Sequence, residues 1–174
     1  MILRSSLLLI NYYHPMPFYN LCVIHILSNK LDDLEQYSRA NSVRIYGLPE
    51  SEHENITEKV ISVCKDKLGI MVNKEMIDIC HRLRHNEQGS RPVIVKFCSK
   101  DLRNKIFDSK KKLKGSKIII REDLTASRAQ LLKEVQKRIN SKQVWSNRGI
   151  VMCKFNNKLF KFKNISDLAD LNII

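Results

Sequence analysis

Between Arg91 and Arg121 the chain places eleven cationic side chains: Arg91, Lys96, Lys100, Arg103, Lys105, Lys110, Lys111, Lys112, Lys114, Lys117 and Arg121. Two acids, Asp101 and Asp108, oppose them, so this stretch holds +9 of the formal +13. Cations at this density suit phosphate as a partner. The stretch also reads as apolar run, amphipathic segment, apolar run, a periodicity that a disordered basic tail lacks. With a pI near 9.7, the partner is expected to be a nucleic acid, an anionic membrane or an acidic protein.

Other chemistries find no residues to carry them. The sequence has no phosphate-binding glycine loop, no HExxH, no GxSxG and no carboxylate cluster suited to two metals. Cys22, Cys64, Cys80, Cys98 and Cys153 are odd in number, widely spaced and without a CxxC pair, so reduced thiols are expected rather than a zinc site. The five histidines lack evident partners. The expectation is a protein that is no enzyme and uses no cofactor, metal or small-molecule substrate. A membrane association is disfavoured, because the apolar runs of the N-terminus are broken by Asn11, His14, Pro15 and Pro17 and fall short of the roughly 18–20 residues a span needs.

The elements that must carry the charge follow from periodicity. Ile24, Leu27, Leu31, Leu34 and Ser38 keep a 3-4-3-4 spacing, an a/d seam over about two heptads. It reads equally as a capping helix or as the stump of an oligomerising coiled coil. Val43–Pro49 alternates and ends at a Gly/Pro break, as a strand does. Ile56, Val60, Ile61, Val63, Cys64 and Leu68 form a helical face stopped by Gly69. Met76–Leu83 and Pro92–Cys98 are the next strands. Ser99 caps a helix with Leu102, Ile106 and Phe107 on one side and basic residues on the other, and Lys117–Arg121 is a fourth strand. The order β-α-β-β-α-β is a split-βαβ arrangement with one sheet face free. A smaller unit follows. Thr125 caps a helix marked by Leu131, Leu132, Val135 and Ile139, Ile150–Phe155 and Lys158–Phe162 flank Asn156-Asn157 as a hairpin, and Asn164 or Ser166 starts a short helix containing Leu168 and Leu171. The expected fold is α+β: residues 1–26 an unassigned, poorly ordered extension, 27–40 a short helix or coiled-coil stub, 41–123 an RNA-recognition-motif-like domain, and 124–174 a small α/β C-terminal domain that binds nucleic acid.

Alternation then sorts the candidate contacts. If Val43, Ile45, Val93, Val95 and Phe97 point inward, Arg44, Tyr46, Ile94 and Lys96 point outward. The usual base-stacking positions of an RNA-recognition motif are thus held by Arg44, Pro92 and Ile94, and Tyr46 is the only aromatic on that face. Phosphate contact through Arg44, Lys96 and Arg121 is expected, with Arg91 at the sheet rim; the plainer role for Arg44 is pairing with a cross-strand acid. Lys110, Lys111 and Lys112, beside Lys114, form either a solvated or nuclear-localisation-like run or a direct contact. Most of Lys100–Lys114 is expected on the helical layer, away from the sheet face. For Trp145, a place in the small core is expected over a stacking role.

A family likeness rests on ordered blocks: LDDLEQYSRANSVRIYGLPES, CHRL, RPVIVKF, RNKIF, KKKLKG and IIIREDLT. These resemble the nucleic-acid-binding protein encoded by the first open reading frame of LINE-type (non-LTR) retrotransposons, in insect-like versions. LLKEVQKRINSKQVWSNRGIVMCKFNNKLFKFKNISDL resembles the C-terminal domain of the baculovirus few-polyhedra protein. The resemblance spans about residues 31–174. It implies a coiled-coil homotrimer and a non-standard RNA-recognition motif, with single-stranded RNA or DNA in a basic cleft before the C-terminal domain. It also implies nucleic-acid chaperone activity without catalysis, in a cytoplasmic ribonucleoprotein with a nuclear alternative. Arg44 matches the family's strand-one arginine, Arg91 the basic pair before strand three, and Arg121 and Arg128 flank the turn into the helix that carries Lys137 and Arg138. The competing reading is a non-enzymatic scaffold that binds acidic proteins and assembles with itself.

Overall fold

The computed structural model of the chain describes residues 16–84, 90–165 and 167–168. It is a mixed α+β structure with two antiparallel sheets. Its compact units are Met1–Glu35 and Gln36–Ile174.

Helix α1 runs from Met16 to Ser38. It begins eleven residues before the expected stub, inside the stretch expected to be a poorly ordered extension. Pro17 does not prevent this, because in the first turn of a helix its missing N–H would have no partner anyway. The expectation for residues 1–15 lies outside the described residues. The seam leucines stay in solvent: Ile24, Leu27, Leu31 and Leu34 are 57–67% exposed.

The larger unit then continues as β1 (Ser42–Tyr46), α2 (Ile56–Ser62), β2 (Ile77–Arg82), β3 (Val93–Phe97), α3 (Lys100–Asp108) and β4 (Ile119–Glu122). The four strands pair antiparallel in the order β2-β3-β1-β4. Val43, Ile45, Val93, Val95 and Phe97 are at most 1% exposed and pack with Val60, Cys64 and Leu68 on one side of the sheet, and with Ile106 and Phe107. Each fully buried apolar side chain stabilises by about 1.5–3 kcal/mol, and a one-residue slip would turn all five strand residues to the other face. That loss fixes the register. Asn55 caps α2 by accepting from the Glu58 N–H at 3.2 Å. The helix widens into a π-turn over Val63–Leu68 and stops at Gly69, where φ is 69°. Gly47 is required by its surroundings: φ is 74°, and a Cβ there would overlap the Lys117 carbonyl. In α3, Ser99 caps as expected. Arg103, read as one of the outward cations, instead faces inward and is 4% exposed.

The chain proceeds through α4 (Ala126–Arg138), β5 (Val144–Asn147), β6 (Ile150–Phe155) and β7 (Lys158–Phe162), with sheet order β5-β6-β7. Leu131, Val135 and Ile139 bury against Val144, Val151, Cys153 and Phe162. Asn156 and Asn157 both take positive φ, 47° and 60°, as a type I′ turn demands. Asp167 organises the following turn by accepting from the Lys163 and Asn164 N–H groups at 2.8 and 3.0 Å. Of the short helix expected next, Leu168 is buried against the α4 core, and Ser166 and Leu171 lie outside the described residues. Trp145 corrects the core expectation: it is 39% exposed, because the inward position on β5 belongs to Val144.

A buried polar junction ties α4 and its sheet to the first one. The Arg103 guanidinium donates to Glu122 Oε1 at 2.8 Å, and Glu122 Oε2 accepts from the Gly149 N–H at 3.2 Å. Arg128 donates to the Gly149 carbonyl at 3.0 Å. Gln36 donates to the Asp123 carbonyl at 3.0 Å and accepts from the Thr125 N–H at 3.1 Å. Among the described residues no buried side-chain polar atom lacks a partner, so the desolvation cost of these charges is offset within the network.

Candidate nucleic-acid interface

Strand β4 is an outer strand of the first sheet and β5 an outer strand of the second. Both edges line a cavity of about 990 Å³. β1 contributes Arg44 and Tyr46 to it, and β4 contributes Ile119 and Arg121. After α3 the chain tightens into a 3-10 turn, Ser109–Leu113, which with the Gly115 bend brings Lys110, Lys111 and Lys114 to the rim. Ala129, Leu132, Lys133 and Gln136 recur at helical spacing and present one stripe of α4 to the space, and Trp145 of β5 completes it.

Six cations therefore face the cavity, Arg44, Lys110, Lys111, Lys114, Arg121 and Lys133, with Glu122 as the acid among the lining residues. The Glu122 carboxylate is already held by Arg103 and Gly149. The local field is strongly positive, and low-dielectric walls focus it. Lys110 sits 3.5 Å from the centre of the Phe107 ring, and burial pushes its ammonium below the ordinary lysine range. Arg121 lies over the Tyr46 ring at 5.4 Å. A guanidinium on an aromatic face offers both charge and a flat surface for a base.

The structure gathers some of the predicted contacts and disperses others. Arg44, Tyr46, Lys110, Lys111 and Arg121 meet at the cavity, although Arg44 also donates to Asp123 at 2.7 Å in company with Arg39 at 3.0 Å. Arg44 thus has the plainer role expected of it, pairing with an acid, and it also lines the cavity. Arg91 is bound to Glu50, with Nε to Oε1 at 2.7 Å; this bond holds the Glu50 carboxyl below the usual range. Lys96 pairs with Asp78 at 2.7 Å. Lys112 donates to the Leu68 carbonyl at 2.6 Å. Arg128 is buried in the junction. Lys137 pairs with Glu134 at 2.8 Å, and Arg138 is exposed on the last turn of α4. None of these six is among the residues lining the cavity.

Five of the lining residues carry weak or divided signals in the sequence. Lys110 and Lys111, expected either as a solvated run or as a contact, reach the β4 edge with Lys114 through a 3-10 turn, which leaves no periodic signal. Lys133 was visible only as one polar position on α4, although its spacing from Ala129 and Gln136 marks the stripe. Trp145 was assigned to the core. Arg82 was missed altogether as an organiser: it donates to Glu54 at 2.7 Å and to the carbonyls of Leu48 and Pro49 at 2.9 Å, pinning the loop after β1. Among the described residues no group of three His, Cys, Asp or Glu could hold a metal ion, and no helix is long and apolar enough to cross a membrane. No protein-family model matches the chain, and no curated protein matches it.

Proposed function

We propose that this chain binds single-stranded nucleic acid, RNA foremost, without catalysing a reaction, and serves as a nucleic-acid chaperone in a retrotransposon ribonucleoprotein. The observation that carries the reading is the cavity between the β4 and β5 edges, with six cations, one acid that is already paired, and the rings of Tyr46 and Trp145. Cations supply sequence-independent phosphate affinity, and flat side chains accept any base. The strand order β2-β3-β1-β4 with two intervening helices supports the RNA-recognition-motif-like reading of residues 41–123. The scarcity of aromatics on the open sheet face marks it as non-standard, because base stacking in that motif uses ring side chains of the central strands.

The test is fluorescence anisotropy with single-stranded and duplex oligonucleotides across a salt series. Single strands should bind more tightly, and affinity should fall steeply with salt. Arg121→Ala/Lys133→Ala should lower the slope of log K against log salt by about 1.4, roughly 0.7 per lost phosphate contact. An unchanged slope would remove the cavity from the reading.

A second role, self-assembly, is favoured by one observation. The a/d side chains of α1 are 57–67% exposed, a seam that a homotrimeric coiled coil would cover. Sedimentation of the full chain without nucleic acid tests it: a monomer at micromolar concentration would exclude the assembly.

A further inference from the structure

The second sheet has a face the cavity does not account for. Val144, Val151, Cys153 and Phe162 turn to α4 and the core. The register Trp145↔Met152↔Lys161 and Lys154↔Leu159 puts these five on the other face. Trp145 and Leu159 are 39% and 54% exposed, and Lys154 and Lys161 are exposed too. From residue 140 to residue 166 the chain has six Lys or Arg and no Asp or Glu. A solvated sheet face ordinarily mixes both signs and keeps large rings off the surface. This face does neither, and its tryptophan also lines the cavity.

We propose that the outer face of β5–β7 is a second contact surface for the same single-stranded nucleic acid, with the Trp145 indole stacking on an unpaired base at the cavity rim and Lys154 and Lys161 receiving phosphates beyond it. This extends the cavity reading and rests on it. Three features select a single strand. An indole needs a base free of its duplex stack, lysines with no ion pair to an acid among the described residues suit a phosphodiester backbone, and the face continues from a cationic space. Lys154 and Lys161 are diagonal cross-strand neighbours, about 7–8 Å apart at their stems, so their flexible side chains can follow one backbone. An acidic protein segment would use the lysines but has no requirement for the ring.

The chain has a single tryptophan, so its fluorescence reports on this face without mutation. Titration of the full chain with oligouridylate should quench Trp145 emission in step with the anisotropy change. Flat emission during saturable binding would overturn the proposal and would also remove Trp145 from the cavity's contacts, leaving the cavity's cations and Tyr46 to the Arg121→Ala/Lys133→Ala test. Trp145→Phe should retain most of the affinity, whereas Trp145→Ala should lose about 5- to 150-fold, the range for one stacked base. For Lys154→Ala/Lys161→Ala the loss should grow with oligonucleotide length, and the salt slope on long strands should fall by about 1.4. Losses that do not depend on length would overturn the extended path. Absence of any binding by the unaltered chain would overturn both readings.

Discussion

The cations paired with a carboxylate and those that stand around the cavity without one differ in what already holds them, and among the described residues Arg44 alone belongs to both places. Arg91 and Lys96 each face a carboxylate, Glu50 and Asp78, and Arg103 lies buried on Glu122. Arg44 and Arg39 converge on Asp123. Lys111, Lys114, Arg121 and Lys133 stand around the cavity with no ion pair to an acid among the described residues. The two sets cannot be told apart by counting charge. The paired cations maintain the fold's shape, and the remaining ones leave the field that a polyanion would meet.

The sharpest way to break this comparison is to remove an acid from the paired set. Glu122→Ala strands the Arg103 guanidinium in the interior, which should cost about 3–5 kcal/mol, as loss of one partner of a buried pair does. Urea denaturation measures it, and a change below 1 kcal/mol would mean that the junction does not bind the two sheets together. Gly149→Ala probes the same junction more gently. The residue has φ of 77°, and a Cβ would sit 2.6 Å from Gln36 Cγ and 3.0 Å from an Arg128 nitrogen. Gln36 is held by two hydrogen bonds and cannot swing away, so a loss of about 1–3 kcal/mol is expected, visible as a lower thermal midpoint.

Glu54 tests the paired set through pH. Hydrogen bonds from Arg82 and then Lys59 lower its pKa from 4.5 to about 2. A pKa depressed on folding contributes stability that is complete above pH 4.5 and fades as the pH falls toward 2. Glu54→Gln should flatten the stability curve between those values, and parallel curves for the two proteins would show that the pair contributes nothing. The smallest effect is expected from Arg91→Ala/Lys96→Ala. Their charge is already matched, so the salt slope for single strands should change by less than about 0.7, one phosphate contact. A drop near 1.4 would erase the distinction between the two sets.

Much of the scaffold was legible because it repeats. Alternation in Val43–Tyr46 and Val93–Phe97, the Gly69 stop, the Ser99 and Thr125 caps and the Asn156-Asn157 turn are local rules, and each holds in the structure. The junction was not legible. Gln36, Arg103, Glu122, Asp123, Arg128 and Gly149 are far apart in sequence, and nothing local marks a charge that will be buried. Trp145 was misplaced for a related reason: core or surface depends on whether Val144 or Trp145 takes the inward position on a four-residue strand, and either alternation fits the sequence.

The net positive charge, the periods of the elements and the caps and turns between them can be read along the chain, because each is a property of sequence neighbours. Which cations are neutralised and which remain open is settled by the folded arrangement. That outcome depends on which carboxylate reaches which guanidinium across strands, and on a 3-10 turn that carries Lys110, Lys111 and Lys114 from the helical layer to the edge of β4.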